Sequence, residues 1–499
     1  LSEINIKHFN ETHIKVGCDD SIAAELKDHF TFYVDGYKFH PLYRDKMWDG
    51  RLSFFKLGSR TLYKGLLKQL LTFCKDNSYT FTCDKELFNK VDITYDEISD
   101  IITNHIEYKN NYTPREYQIR SIYQCLKYRR RIIESATGSG KSLIQATLIK
   151  FLLADDDYTN DKKIVVIVPS VNLVNQMYSD FQDYFGDEFV SNVHRIYSGK
   201  EKITNKKIIV STWQSLANIT NQKFYDNIFA VLLDECHIVA HNSANIKIII
   251  KLLEKMKNTS RRFGFTGTIK KGATNALTLM GLFGDFFIAN KTHELIANKT
   301  LSDLKIHCVV AKYSDDVRRN LFKTQYQDEI KFIESYKPRN DLIIKLTKGL
   351  KGNTIILCSH VENHGKVLFN RIKNELKDRP VFFVSGATSD VDRENIRKII
   401  DKYDNAILVG SYQCLSTGVN APSLSNLIFG SPSKSDSRVR QSIGRILRKH
   451  KEKTIATVFD IVDDFRIDDH KNYLWNHFIE RINTYNEQKF TMKIHKVSI

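Results

Sequence analysis

Eight consecutive residues, Ser135-Ala136-Thr137-Gly138-Ser139-Gly140-Lys141-Ser142, carry the residue types and spacing of a phosphate cradle. Glycines at 138 and 140 let backbone N–H groups crowd around phosphate oxygens with no Cβ in the way. A helix starting there adds aligned donors and partial positive charge. Lys141 would reach the β and γ phosphates, and Ser142 would offer its hydroxyl to Mg²⁺. The strict pattern has Gly in the first place, where this chain has the small residue Ser135; the competing reading is a Gly/Ser turn that arose by chance. A second group lies about a hundred residues on, where Asp234-Glu235-Cys236-His237 follows the apolar run Phe229–Leu233. Adjacent acids at the carboxyl end of a buried strand sit where ligands bind in open α/β sheets. Asp234 would hold Mg²⁺, and Glu235 would orient and deprotonate an attacking water. Acids that merely cap a strand end are the alternative.

The elements needed to position these groups are legible around them. Arg131–Glu134 reads as a buried strand before the glycine-rich turn, and Leu143–Leu153 as a helix after it. Further apolar β-rich runs occur at Ile164–Val168, Lys207–Thr212, Phe229–Leu233 and Arg262–Thr266. They resume at Thr354–Ser359, Val381–Val384, Ala406–Val409, Asn426–Phe429 and Thr454–Phe459. Continuous apolar strands with helical spacers predict parallel sheets covered on both faces, and two series predict two α/β domains. The boundary is placed near 290–305, a polar stretch without a strong strand. The tail reads as a helix around Trp475 and a short extended end.

Before these domains, residues 1–108 read as a small α+β domain. Strands are expected at Ile4–Phe9 and His13–Val16, with helices over Ser21–Phe30 and Thr61–Lys75. Tyr37 to Lys56 interleaves aromatics with bases, and residues 38–75 hold nine Lys/Arg against Asp45 and Asp49. Two readings stand: a nucleic-acid face that includes Lys38, Arg44, Lys46, Trp48 and Arg51, or a hairpin with aromatic core and solvated charges. The acidic segment Asp92–Glu107 would join this domain to the next.

The 499 residues carry a net charge of +17, which points to a polyanionic partner. Residues 1–108 hold 14 Lys/Arg against 17 Asp/Glu, a balance of −3, so the excess, +20, lies in the remainder. Eight scattered cysteines with no Cys-x-x-Cys pair imply neither a disulfide framework nor a zinc site. No apolar run reaches membrane-spanning length and the start has no signal layout, so a cytoplasmic location is the expectation.

The groups fall in a familiar order. SATGSGKS, DECH, Thr266-Gly267-Thr268 and Gln441-Ser442-Ile443-Gly444-Arg445-Ile446-Leu447-Arg448 resemble motifs I, II, III and VI of superfamily 2 helicases. Tyr112–Gln118 resembles the adenine-reading element, Pro169–Gln176 motif Ia, and Ser211–Ser215 the DNA-contacting block that follows it. Ile355–Ser359 with His360 resembles motif IV, and Ser416–Pro422 motif V. The resemblance spans about Asn111 to Asp460. It implies two tandem RecA-like parallel-sheet domains, residues 109–295 and 296–499, behind the α+β domain, with ATP and Mg²⁺ (on Ser142 and Asp234) as cofactors.

It also implies roles for residues that composition and spacing do not reach. Tyr112, Arg115 and Gln118 would bind the adenine end; Ser135, Ala136, Thr137, Gly138, Ser139, Gly140, Lys141, Ser142 and Gly418 the rest of the nucleotide. Gln441, Arg445 and Arg448 would approach ATP from the second domain, the two arginines on one helix face. His237, Thr266 and Thr268 would relay nucleotide state, a tight turn being the alternative for the threonines. Ser170, Thr212, Ser359, His360 and Thr417 would contact a nucleic-acid backbone, whereas Trp213 is expected in the core.

Within the superfamily, the DECH box, the small N-terminal domain and the stretch around Trp48-Asp49-Gly50-Arg51 look most like a helicase lineage of tailed phages. That likeness implies a monomeric DNA helicase in the host cytoplasm, acting on stalled forks, four-way junctions and RNA–DNA hybrids such as R-loops. An RNA helicase of the DEAD type and a restriction-type motor are the alternatives. Asp96, Asp100 and Glu107-Tyr108-Lys109 superficially fit a nuclease pattern.

Overall fold

The structure is a computed structural model that describes residues 3–88, 90–240, 244–268, 272–412, 422–450 and 453–499. By contact the chain divides into two units, residues up to 135 with 140–289, and residues 136–139 with 290–499.

The first unit begins with β1 (Glu3–His8), β2 (His13–Gly17), β3 (Thr31–Tyr33), β4 (Arg51–Ser53), β5 (Thr61–Tyr63) and β6 (Thr80–Cys83). Four of them form a sheet in the order β5-β2-β1-β6, and β3 pairs with β4 as a separate antiparallel ribbon. Ile4, Ile6, Ile14 and Val16 alternate with exposed Asn5, Lys7 and Lys15, so a period of two buries one face. Helices Asp20–His29 and Leu67–Asp76 cover that face with Ile22, Leu26, Leu70 and Phe73. The helix expected over 61–75 therefore starts only at Leu67. Thr61–Tyr63 is instead the edge strand, paired with His13–Lys15, because tertiary pairing overrides a three-residue local preference. The segment 92–107 packs elsewhere: Ile98 and Ile102 are buried in the core of the α/β sheet that follows.

That sheet has seven strands: β7 (Arg130–Ser135), β8 (Lys163–Val168), β9 (Val193–Ile196), β10 (Ile208–Thr212), β11 (Ile228–Asp234), β12 (Arg261–Thr266) and β13 (Phe286–Asn290). Their order is β13-β7-β12-β11-β8-β10-β9, parallel from β7 to β9. β8 and β11 are buried from Ile164 and Ile228 to their carboxyl ends, as strands covered on both faces must be. The topology puts the ends of β7, β11 and β12 side by side, and the turns after them carry the P-loop, the DECH box and Thr266–Thr268.

In the second unit, β14 (Asp303–Lys312), β15 (Asn353–Cys358), β16 (Val381–Val384), β17 (Ile407–Ser411), β18 (Leu424–Phe429), β19 (Ile455–Asp464) and β20 (Met492–Ser498) form a wholly parallel sheet. Its order is β16-β17-β15-β18-β19-β14-β20. The polar boundary stretch thus ends directly in the ten-residue β14. The tail helix spans Tyr473–Glu487, and the extended end after it is β20, which joins β14 as the edge strand. Among the described residues no helix is long and apolar enough to cross a membrane.

A buried charge cluster locks the small sheet to the first α/β sheet. Glu11 accepts from Lys64 Nζ at 2.9 Å and from Arg130 Nη2 at 3.0 Å, and its backbone N–H donates to Lys257 O. Nearby, wholly buried Arg262 donates to Thr12 Oγ1 and to the carbonyls of Thr259 and Leu253. Burial raises the Glu11 carboxyl, but Arg130 and Lys64 outweigh it and hold the group at about 2. Burial pulls the Arg130 guanidinium down, yet arginine stays charged at any pH the fold survives, so the pH dependence falls on Glu11. A carboxyl at about 2 in the fold and near 4.5 when unfolded contributes about 3 kcal/mol, present above pH 4.5 and lost as the pH falls toward 2. Glu11→Gln is accordingly expected to lower stability to urea at pH 7 by a few kcal/mol. The gap to wild type should narrow at pH 3.5; an undiminished gap there would refute this assignment.

Candidate nucleotide site and nucleic-acid face

β7 runs into the P-loop and the helix Lys141–Leu153 leaves it, so the strand, glycine turn and helix follow as the sequence predicts. Gly138 and Gly140 have φ of +84° and +81°, the left-handed region that disfavours a side chain. Lys141 folds back over the loop, its Nζ donating to Ser135 O at 3.1 Å. Gln118, also buried, brings Nε2 to 3.5 Å from Gly140 O while its Oε1 accepts from Arg115 N at 2.7 Å. A Cβ on residue 140 would stand 2.5 Å from that amide nitrogen. The expected adenine reader is thus buttressed on the phosphate loop. Tyr112 is 40% exposed and sets its ring edge-on to Tyr184 at 4.8 Å. Tyr184 Oη in turn lies 2.8 Å from Ser142 Oγ. Tyr184 therefore links the adenine element to the serine, a role invisible in sequence because it depends on which face of helix Val171–Ser191 points inward.

Across the same end of the sheet, Asp234 closes β11 and is buried. Burial first, then the adjacent Glu235, pushes its carboxyl up to about 7, against the pull of Lys141. Its Oδ1 accepts from Gln145 Nε2 at 3.2 Å, and Gln145 itself is wholly buried one turn after Lys141. The only sequence signal for Gln145 is an amide among the apolar residues of the P-loop helix. Glu235 has φ of +50°, uncommon outside glycine, as the chain turns out of β11. Its Oε2 lies 3.2 Å from His237 Nδ1, and that nitrogen is 2.9 Å from Thr266 Oγ1. Thr266 donates its hydroxyl to Thr268 O and accepts from Thr268 N. Thr266 must then accept from histidine, which assigns the proton to Nδ1. His237, Thr266 and Thr268 thus form one hydrogen-bonded chain across the tight turn, with Glu235 Oε2 at ion-pair distance from its first member.

In the second unit, the helix Asp436–Ile446 carries Gln441 and Arg445. Leu447 caps it, so Arg448 lies beyond its end and the expected shared helix face does not exist. Both arginines are half-buried. Ala136–Ser139 group by contact with this unit, and a Cβ on Gly138 would stand 3.6 Å from Arg448 Cγ. Gly418 and Thr417 lie outside the described residues.

The backbone-contact candidates divide. Ser359 and His360 are exposed at the end of β15, His360 Nδ1 sitting 2.9 Å from Glu334 Oε1. The Ser170 hydroxyl has no hydrogen-bond partner within the described residues. Thr212 is buried and caps helix Trp213–Ala217, and Trp213 is in the core. In the N-terminal region Phe54 and Phe55 are core, whereas Lys38, Tyr43, Arg44, Lys46, Met47, Trp48 and Asp49 line an open basin of about 620 Å³. Trp48 is half-buried, its Nε1 donating to Arg51 O at 2.8 Å, and Arg51 lies over the Tyr33 ring. Much of the local charge excess is already spent: Arg60 pairs with Asp20, Lys64 with Glu11 and Lys68 with Asp285. No group of three side chains able to hold a metal occurs among the described residues, so Asp96, Asp100 and Glu107 form none.

Three family descriptions match the chain: "DNA helicase UvsW, N-terminal" over residues 3–84, "Type III restriction enzyme, res subunit" over 111–271, and "Helicase conserved C-terminal domain" over 338–450. The chain is 32% identical over 511 aligned residues to the ATP-dependent DNA helicase uvsW of Enterobacteria phage T4, covering 99% of each. It is similar to the crystal structure of T4 UvsW at 32% identity and a TM-score of 0.52, again over 99% of both chains. Saccharomyces cerevisiae Dbp5 bound to RNA shares the fold at 16% identity and a TM-score of 0.56, over 81% of this chain and 95% of that one.

Proposed function

The chain belongs to the UvsW helicase family, and we propose that it is an ATP-dependent DNA helicase that turns ATP hydrolysis into the remodelling of branched DNA. The end-to-end similarity to a DNA helicase, with Lys141, Asp234 and Glu235 at one end of one sheet, carries this reading. Residues 1–108 would be the first domain, 109–295 and 296–499 the two motor domains.

Lys141 turns from Ser135 O to the β and γ phosphates, and Tyr112, Arg115 and Gln118 hold the adenine end. Ser142 and Asp234 are hard oxygen donors, and a carboxyl buried at a strand end beside a second acid is a group short of a cation, so the pair suits Mg²⁺. Bound there, Mg²⁺ would neutralise charge on the phosphates. Glu235 takes the proton of the attacking water, and His237 holds its carboxylate in place. Because His237 lies between Glu235 and Thr266, at ion-pair distance from the one and donating to the other, a shift of Glu235 is felt at Thr266 and Thr268. Arg445 and Arg448, with Gln441, add positive charge where it develops on the γ-phosphate. Ser170, Ser359, His360 and Thr417 grip the nucleic-acid backbone, Thr212 remaining a helix cap. A single chain suffices, and forks, four-way junctions and R-loops are its substrates.

The direct test is ATP turnover with forked DNA, plain duplex and RNA. Turnover should rise most with forked DNA and vanish in Lys141→Ala; stimulation by RNA alone would favour the DEAD-type reading and overturn this one. Arg448→Ala should slow hydrolysis by about 10³-fold with ATP affinity nearly unchanged. A Lys38→Ala, Arg44→Ala, Lys46→Ala triple variant should bind forks more weakly, with a log affinity against log salt slope shallower by up to about 3. An unchanged slope would place the DNA elsewhere.

A further inference from the structure

The basin in the N-terminal domain belongs to a knob, residues 34–50, that connects the two strands of the ribbon β3–β4. Val34 N–H donates to Gly50 O at 2.9 Å and closes its neck. At its base half-exposed Tyr33 stacks on Tyr37 at 4.6 Å, and Tyr43 sets its edge to Tyr37 at 4.8 Å. A Cβ at position 50, where φ is +81°, would strike the Tyr37 ring at 2.3 Å, so glycine there is what admits the ring. Trp48 is held by its bond to Arg51 O and by the His40 ring at 5.1 Å. Contacts among its own rings thus tie the knob together.

Such a knob could have turned its apolar side chains inward, yet Phe39 is 84% and Met47 75% exposed. Exposed apolar groups set among cations beside an open basin suit a recognition surface. Their surroundings select the partner. Lys38 and Lys46 flank them in sequence, and neither these nor Arg44 has a carboxylate within 4.0 Å among the described residues. Two of the knob's acids are occupied: Asp49 accepts from Arg51 N, and Asp35 lies against Gly272 and Asn275. Unspent cations around bare apolar tips fit a phosphate backbone beside bases that have lost their stacking neighbours.

We infer that Phe39 and Met47 form an apolar wedge that occupies the stacking face opened at the branch point of DNA. Lys38, Arg44 and Lys46 grip the adjoining phosphates. This inference rests on the DNA-helicase reading and adds to it a site for unstacked bases. It gives the stacking role to Phe39 and Met47, with half-buried Trp48 lining the basin beside them.

The test uses the full chain and its Phe39→Ala, Met47→Ala double variant, with a synthetic fork carrying 2-aminopurine at the branch pair. Both substitutions remove exposed side chains, and far-ultraviolet circular dichroism checks the fold. Wild type should raise 2-aminopurine emission on binding without hydrolysis. The variant should bind the fork within about threefold, lose the rise, and open at least about tenfold fewer base pairs per ATP hydrolysed. Emission and coupling equal to wild type would overturn the wedge. An equal loss of binding and coupling would make the knob a grip and overturn it too. If forked DNA fails to stimulate wild-type ATP turnover, the underlying reading falls instead, a result the wedge variant cannot produce.

Discussion

Two neighbouring carboxyl groups at the end of one buried strand constrain everything around them. Asp234 is buried beside Glu235, and its charge cannot be held there cheaply without a cation. The local structure answers that demand piece by piece. Lys141 arrives from the P-loop helix, Gln145 one turn later donates to Asp234, and the left-handed turn at Glu235 carries the second acid off the strand axis toward His237. A parallel sheet makes this possible, because it brings the turns after β7, β11 and β12 to one edge with their backbones fixed by the ladder.

From that edge the hydrogen-bonded chain leads outward through His237 and Thr266 to Thr268. On the opposite side of the same unit, the small sheet is fastened by Glu11 to Arg130, the first residue of the P-loop strand. The knob that carries Phe39 and Met47 therefore stands on a body tied to the strand that feeds the phosphate loop.

Strands were legible wherever burial on both faces made them continuously apolar, as in Ile164–Val168 and Phe229–Leu233. β14 escaped because its Lys, His and Asp residues break the apolar run, whereas β20, read as a short extended end, is held mainly by its ladder to β14. β5 was absorbed into a helix because three residues carry too little pattern. Lys141, Ser142, Asp234 and Glu235 were legible because chemistry fixes both their type and their spacing. Tyr184 and Gln145 were not, since their use depends on which way a helix faces. The charge surplus of residues 38–75 overstated the free cations, because Arg60, Lys64 and Lys68 meet acids that lie far away in sequence or on other elements.

The chemistry proposed for this site turns on Glu235 taking the proton from water that attacks ATP. Single-turnover hydrolysis by Glu235→Gln, with ATP binding followed in parallel, isolates that step. ATP should bind within a few-fold of wild type while hydrolysis slows by at least about 100-fold. Hydrolysis at the wild-type rate with ATP bound would contradict it.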